Sequence, residues 1–230
     1  MSENFALKRV ERTSIGNDKV SFAGVKVKTL ILLAIMVCAM LLFPYMALGN
    51  IALIGIALTG FVIGLVVIFK QSTAPYLSPV YAALQGLVIS FISSMAEQQY
   101  QGIAVSAAVV TIILFTVVLT LYKKRILKTN ENTVLYICGA LLSILVLRLV
   151  DLAMGGALIP ASGFFGIGIQ AVVVGVATYS FILDFKEVEK AVEEGLEKRH
   201  EWYLAFGLLV GIIWLYLEVL RLLRTIKEKV

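Results

Sequence analysis

Seven stretches of mostly apolar residues run along this chain, at 29–49, 51–69, 78–96, 102–122, 134–152, 164–184 and 204–223, separated by short polar connections. A helix needs about 20 predominantly apolar residues to cross a bilayer, so each stretch predicts one membrane-spanning helix. The connections carry turn chemistry. Gly49 with Asn50 predicts a tight turn, and 71–79, with Pro75 and Pro79, predicts a loop. Residues 97–102 and 129–133 read as polar loops, the second offering Asn132 or Thr133 as a helix N-cap. Residues 155–163, with two glycines in a row and Pro160, read as irregular. Small residues recur in the second stretch (Gly55, Ala57, Gly60, Gly64) and the sixth (Gly166, Gly168, Gly175), which suits close helix packing in a membrane.

One segment breaks the pattern. Along 184–196, Phe185, Val188, Val192 and Leu196 form an apolar stripe between Lys186, Glu187, Glu189, Lys190, Glu193 and Glu194. That spacing predicts an amphipathic helix, extending the sixth stretch into the cytoplasm or lying on the membrane surface. Trp202 and Tyr203 then mark the interface where the seventh stretch enters.

Composition agrees with the pattern. Sixty per cent of the 230 residues are hydrophobic, against about 45–50% apolar in soluble domains. The expected fold is an all-α integral membrane protein of seven transmembrane helices. Its expected parts are a cytoplasmic tail 1–28, a membrane domain 29–225 containing the cytoplasmic amphipathic segment 185–200, and a short tail 226–230. Residues 1–25 hold few large apolar side chains and are expected to be flexible. They do not resemble a signal peptide, having no small-residue cleavage site after a short apolar core.

The net charge of +5 reports orientation and predicts no nucleic-acid partner. Fifteen Lys and Arg residues fall before the first stretch or after the second, fourth and sixth, and none follows the first, third or fifth. The positive-inside rule therefore makes the N-terminus cytoplasmic. Arg221, Arg224, Lys227 and Lys229 break the rule if the last stretch crosses fully; a re-entrant last helix would return them to the cytoplasm. Full crossing is favoured, because 204–220 is long enough and has no Pro or Gly–Gly turn at its middle. Cys38 and Cys138 lie within apolar stretches and suggest no disulfide framework. With one histidine and no HExxH or CxxC pattern, no cofactor and no enzyme activity are expected.

The candidate chemistry lies in the few charges at membrane depth: Arg148, Asp184 and Glu218. Such residues usually face the protein interior or a water path and find a partner. The midpoint of Asp184 and Glu218 is residue 201, so two antiparallel helices turning there would bring the carboxyls to similar depth. Two carboxylates in one low-dielectric site cannot both ionise cheaply and would share a proton. Simpler readings stand beside this one. Asp184 can begin a solvated segment, Glu218 can pair with Arg221 one turn on, and Arg148 can neutralise Asp151 or latch to Asp184. Glu97 and His200 are expected to be solvated.

The stretches "SFILDFKEVEKAVEEG" and "EWYLAFGLLVGIIWLYLEVLRLL" resemble the last two helices of the Bax inhibitor-1 family. "PYLSPVYAALQGLVISFISSMAEQQYQG" and "GVKVKT" are similar to its larger bacterial branch. The resemblance implies six helices wrapped around a central C-terminal seventh, and a pH-sensitive calcium leak controlled by two acids matching Asp184 and Glu218. It also implies a bacterial or archaeal inner membrane as location. The chain departs from the family pattern by Glu in place of Asp on the last helix, a longer link between the acids, and Gln85 where an acid is expected.

The leading expectation is a cation leak gated by protonation of Asp184 and Glu218, with weak, transient calcium contact there, since calcium prefers six to eight oxygens. The alternative is a non-conducting regulator that binds other membrane proteins or quality-control proteases through 184–196. A coupled transporter is disfavoured by the absence of a half-to-half repeat. Partners are thus membrane lipid, calcium ion and membrane proteins. The orientation predicts that Val10→Cys, Leu127→Cys and Gly195→Cys resist an impermeant thiol reagent added outside intact cells, while Tyr100→Cys reacts. The reverse pattern would invert the topology.

Overall fold

Ser21 begins the first helix. Its extended backbone and its hydroxyl, which accepts the Gly24 N–H at 3.0 Å, make it the N-cap. The structure, a computed structural model, describes residues 19–46, 49–126, 131–154 and 164–228. The expectations for the tail before residue 19, for Thr129 and for 155–163 lie outside the described residues. Among the described residues seven α-helices follow in chain order: α1 Phe22–Leu42, α2 Asn50–Phe69, α3 Ala74–Gln99, α4 Ile103–Lys123, α5 Glu131–Ala153, α6 Phe164–Glu193 and α7 His200–Lys227. Among the described residues six helices are long and apolar enough to cross a membrane, and α5 adds a shorter apolar piece, Leu135–Ile144. This is a multi-pass, all-helical membrane protein.

Four boundaries differ from the sequence reading. α5 starts at Glu131, so Asn132 and Thr133, expected in a loop as its N-cap, fall within its first turn. α1 starts at Phe22, seven residues before its uncharged stretch, because Ser21 caps it and Lys26 and Lys28 are good helix formers. The loop expected at 71–79 is a 3-10 turn, Gln71–Thr73, running straight into α3. Pro75 sits in the first turn, where a missing N–H costs nothing; Pro79 lies one turn further in. Glu97, expected in a solvated loop, lies in the last turn of α3. Its carboxylate accepts the N–H groups of Gly102 at 2.7 Å and Ala104 at 2.9 Å, and so caps α4.

The chain forms two compact units. The first comprises Met1–Ile89 with Lys186–Leu209. In it α1 buries Val25, Thr29, Leu32, Met36 and Ala39, a 4–3–4–3 spacing that makes one narrow seam. α2 approaches α3 through small residues. A Cβ on Gly60 would stand 3.2 Å from Gln85 Nε2, and one on Gly64 3.2 Å from the Tyr81 ring. Tyr81 packs edge-on to Phe206 of α7, with ring centroids 4.9 Å apart. On α2, Ile51, Ile54, Leu58, Phe61 and Val62 remain exposed, as a lipid-facing surface requires.

The second unit comprises Ser90–Phe185 with Val210–Val230. Phe115 of α4 meets Phe181 and Phe185 of α6 edge-on, with centroids 5.0 and 5.8 Å apart. Ser93 and Tyr216 share a hydrogen bond of 2.7 Å between α3 and α7. α7 passes α6 closely at Gly211, where a Cβ would stand 2.9 Å from the Phe181 ring. α7 is the most enclosed of the long apolar helices: 61% of its apolar window is buried, against 22% for α1, α2 and α4.

The tightest notch is Gly86 of α3. A Cβ there would overlap the Met36 carbonyl of α1 and stand 2.8 Å from Ala39 Cβ. Gly86→Leu is expected to destabilise the protein by about 1–3 kcal/mol, as overpacking does, seen as a lower thermal unfolding midpoint in detergent. The same change at open Gly139 should leave the midpoint nearly unmoved.

Candidate functional site

Among the described residues, two charged side chains are buried, Glu201 and Glu218, and both stand on α7. A carboxylate in a low-dielectric interior needs donors from the protein itself. The two are supplied differently.

Glu218 is 3% exposed. Gln170 of α6 donates from Nε2 to Glu218 Oε2 at 2.5 Å and to its backbone carbonyl at 3.2 Å. On α7, Trp214 Nε1–H donates to Oε1 at 3.2 Å, one turn before. Arg221, one turn after, donates from Nη1 to Oε1 at 3.1 Å and Oε2 at 3.0 Å. The Arg221 side chain is 47% exposed, so the ion pair joins an enclosed carboxylate to a cation at the surface. The i, i+3 and i, i+4 spacings on a helix are what bring Trp214 and Arg221 to one carboxylate.

Asp184 lies near the end of the apolar part of α6 and is half-buried. Its Oδ2 stands 3.4 Å from the place a Cβ on Gly211 would take. Asp184 and Glu218 are not brought together in this structure. Glu218 bonds to Gln170, which precedes Asp184 on α6 by fourteen positions, roughly 21 Å of helix rise. The turn expected about residue 201 lies earlier, because α6 ends at Glu193 and α7 already begins at His200. Asp151 is half-buried on α5, and the side chain of Arg148 lies outside the described residues.

Glu201 was not among the sequence candidates. It is 0% exposed. Oε1 accepts the Ser21 N–H at 2.9 Å and the Ser21 hydroxyl at 3.1 Å, and Oε2 is ion-paired to Lys28. The Lys28 ammonium also lies 5.6 Å from the Trp202 ring centroid. Glu201 belongs to the first turn of α7 and caps the first residues of α1, so two helix N-termini favour its negative charge. In the sequence it is hidden in a charged connection. Its one signal is "GVKVKT", where Lys28 adjoins the buried Thr29 of α1.

Among the described residues no three His, Cys, Asp or Glu side chains group as a metal site. The stripe of 184–196 is partly covered: Phe185 and Val188 are buried and Val192 and Leu196 half-buried, while Glu193 and Glu194 stay exposed. Gln170→Leu should strip one donor from a buried carboxylate and cost about 1–3 kcal/mol. Thermal unfolding of the variant checks this, and an unchanged midpoint would mean the hydrogen bond carries no weight.

A profile of the family described as Bax inhibitor 1 like matches residues 3–228. No curated protein and no solved structure matches the chain. The match spans nearly the whole sequence, and the chain belongs to this family.

Proposed function

We propose that this member of the Bax inhibitor 1 like family is a pH-sensitive cation leak, calcium being the principal cargo, with α7 as its central helix. One observation carries the reading: Glu218, enclosed on the most buried helix, holds its charge through a cation that reaches the surface. Protonating Glu218 removes the charge that holds Arg221 and leaves Gln170 and Trp214 with a neutral acceptor. The balance of forces on α7 against α6 changes with one proton. Asp184 is the second acid of the reading. It stands beside Gly211, where α6 and α7 pass closely, so its charge state bears on the contact of the same two helices. A shared proton between the two acids would need α6 to slide along α7.

Calcium takes six to eight oxygens. A carboxylate offers at most two, so a passing ion would keep most of its water, which suits leak and not storage. The reading further places the protein in a bacterial or archaeal inner membrane with a cytoplasmic N-terminus, on the strength of the charge asymmetry. The regulator reading is less favoured, since much of the apolar stripe it would use is covered within the fold.

The purified protein in calcium-loaded liposomes should release calcium at a rate that varies with pH. Glu218→Gln keeps the shape and removes the ionisable group, so its flux should lose most of that variation. Asp184→Asn should reduce it. A Glu218→Gln profile that follows the wild type across the whole pH range would remove Glu218 as the sensor, and absence of flux in the wild type would remove the leak.

A further inference from the structure

Every group around Glu201 ties the start of α1 to the connection between α6 and α7. Lys19 and Glu197 face each other across a single antiparallel bridge, and the Val20 N–H donates to the Leu196 carbonyl at 2.9 Å. The Lys19 side chain lies over Gly195, whose φ of +64° ends the turn after α6; its Nζ would stand 3.3 Å from a Cβ there. Ser21 follows, with N–H and hydroxyl both donated to Glu201. Gly24 leaves room for the carboxylate, which a Cβ at that position would overlap. Lys28 completes the ring and is itself only 14% exposed.

One backbone bridge is a weak fastening; the buried pair is what makes it firm. Removing one member of such a pair leaves an uncompensated charge out of water, so half-open arrangements are unfavourable. The contact is therefore either closed, or open with both charges hydrated. α7 has no proline and runs unbroken from His200 to Lys227.

We propose that Lys28 and Glu201 form a lock that holds the α6–α7 connection to the first turns of α1, and that opening it speeds cation permeation. The second half rests on the leak reading above. The lock differs in kind from the Glu218 site. It joins residues 173 positions apart in sequence, and its charges are enclosed on both sides.

The test uses the full chain in liposomes, with hydrogen exchange and calcium flux read on the same samples. Glu201→Gln keeps the size of the side chain and removes the charge. Amides of 19–28 and 194–201 should exchange at least about tenfold faster, as loss of a buried charge partner implies, and calcium flux should rise above the wild type. A second variant works in the opposite sense. Lys19→Cys with Glu197→Cys, in a Cys38→Ala and Cys138→Ala background, places two thiols across the bridge at disulfide range. Oxidation should slow exchange in both segments and lower flux, and reduction should restore both. Unchanged exchange in Glu201→Gln overturns the lock. Faster exchange with wild-type flux overturns its control of permeation. Exchange that responds in both variants, with no calcium flux from any protein including the wild type, upholds the lock and overturns the leak.

Discussion

A carboxylate enclosed in a membrane protein has to be given its donors by the chain, because lipid offers none. The last helix carries two such carboxylates, and much of the described structure around them meets that demand. Glu201 takes the capping group of α1, its first N–H and a lysine two turns on. Glu218 takes a glutamine from α6 and two donors from its own helix. Mispairing at either point strands a charge, so both carboxylates act as register marks for α7. Buried polar groups are well attested in this role where they fix the alignment of packed helices.

The remaining helices obey a softer rule. With lipid outside as apolar as the side chains inside, association depends on close fit. α1 spends one narrow seam on its neighbours, and α2 uses Gly60 and Gly64 to come near α3, leaving the rest of its surface to lipid. Gly86 and Gly211 serve the same end at single points. Close fit of this sort tolerates many apolar exchanges elsewhere and few at these glycines.

The helices were legible because membrane spans write themselves in length and apolarity, and the family was legible from the two C-terminal segments. Boundaries were less so. Ser21 drew α1 outward by seven residues, and Pro75, taken as a breaker, fell where a helix start accepts proline. Glu218 stood out because its neighbours are apolar. Glu201 did not, since it sits among Glu197, Lys198, Arg199 and His200. Burial there comes from a segment 173 positions earlier, and no local pattern reports a partner so distant. The expected meeting of Asp184 and Glu218 assumed a symmetric turn. The turn instead lies between Glu193 and His200, ahead of residue 201, and the structure puts Asp184 beside Gly211 and Gln170 beside Glu218.

The two ion pairs on α7 respond to different things, and exposure of the partner decides which. The Arg221 side chain is nearly half exposed, so its pair with Glu218 is enclosed on one side only. Lys28 is mostly enclosed and braced against Trp202, so its bond to Glu201 is shielded from salt and opens only with a change of packing. The two pairs thus differ in how far their cation is enclosed.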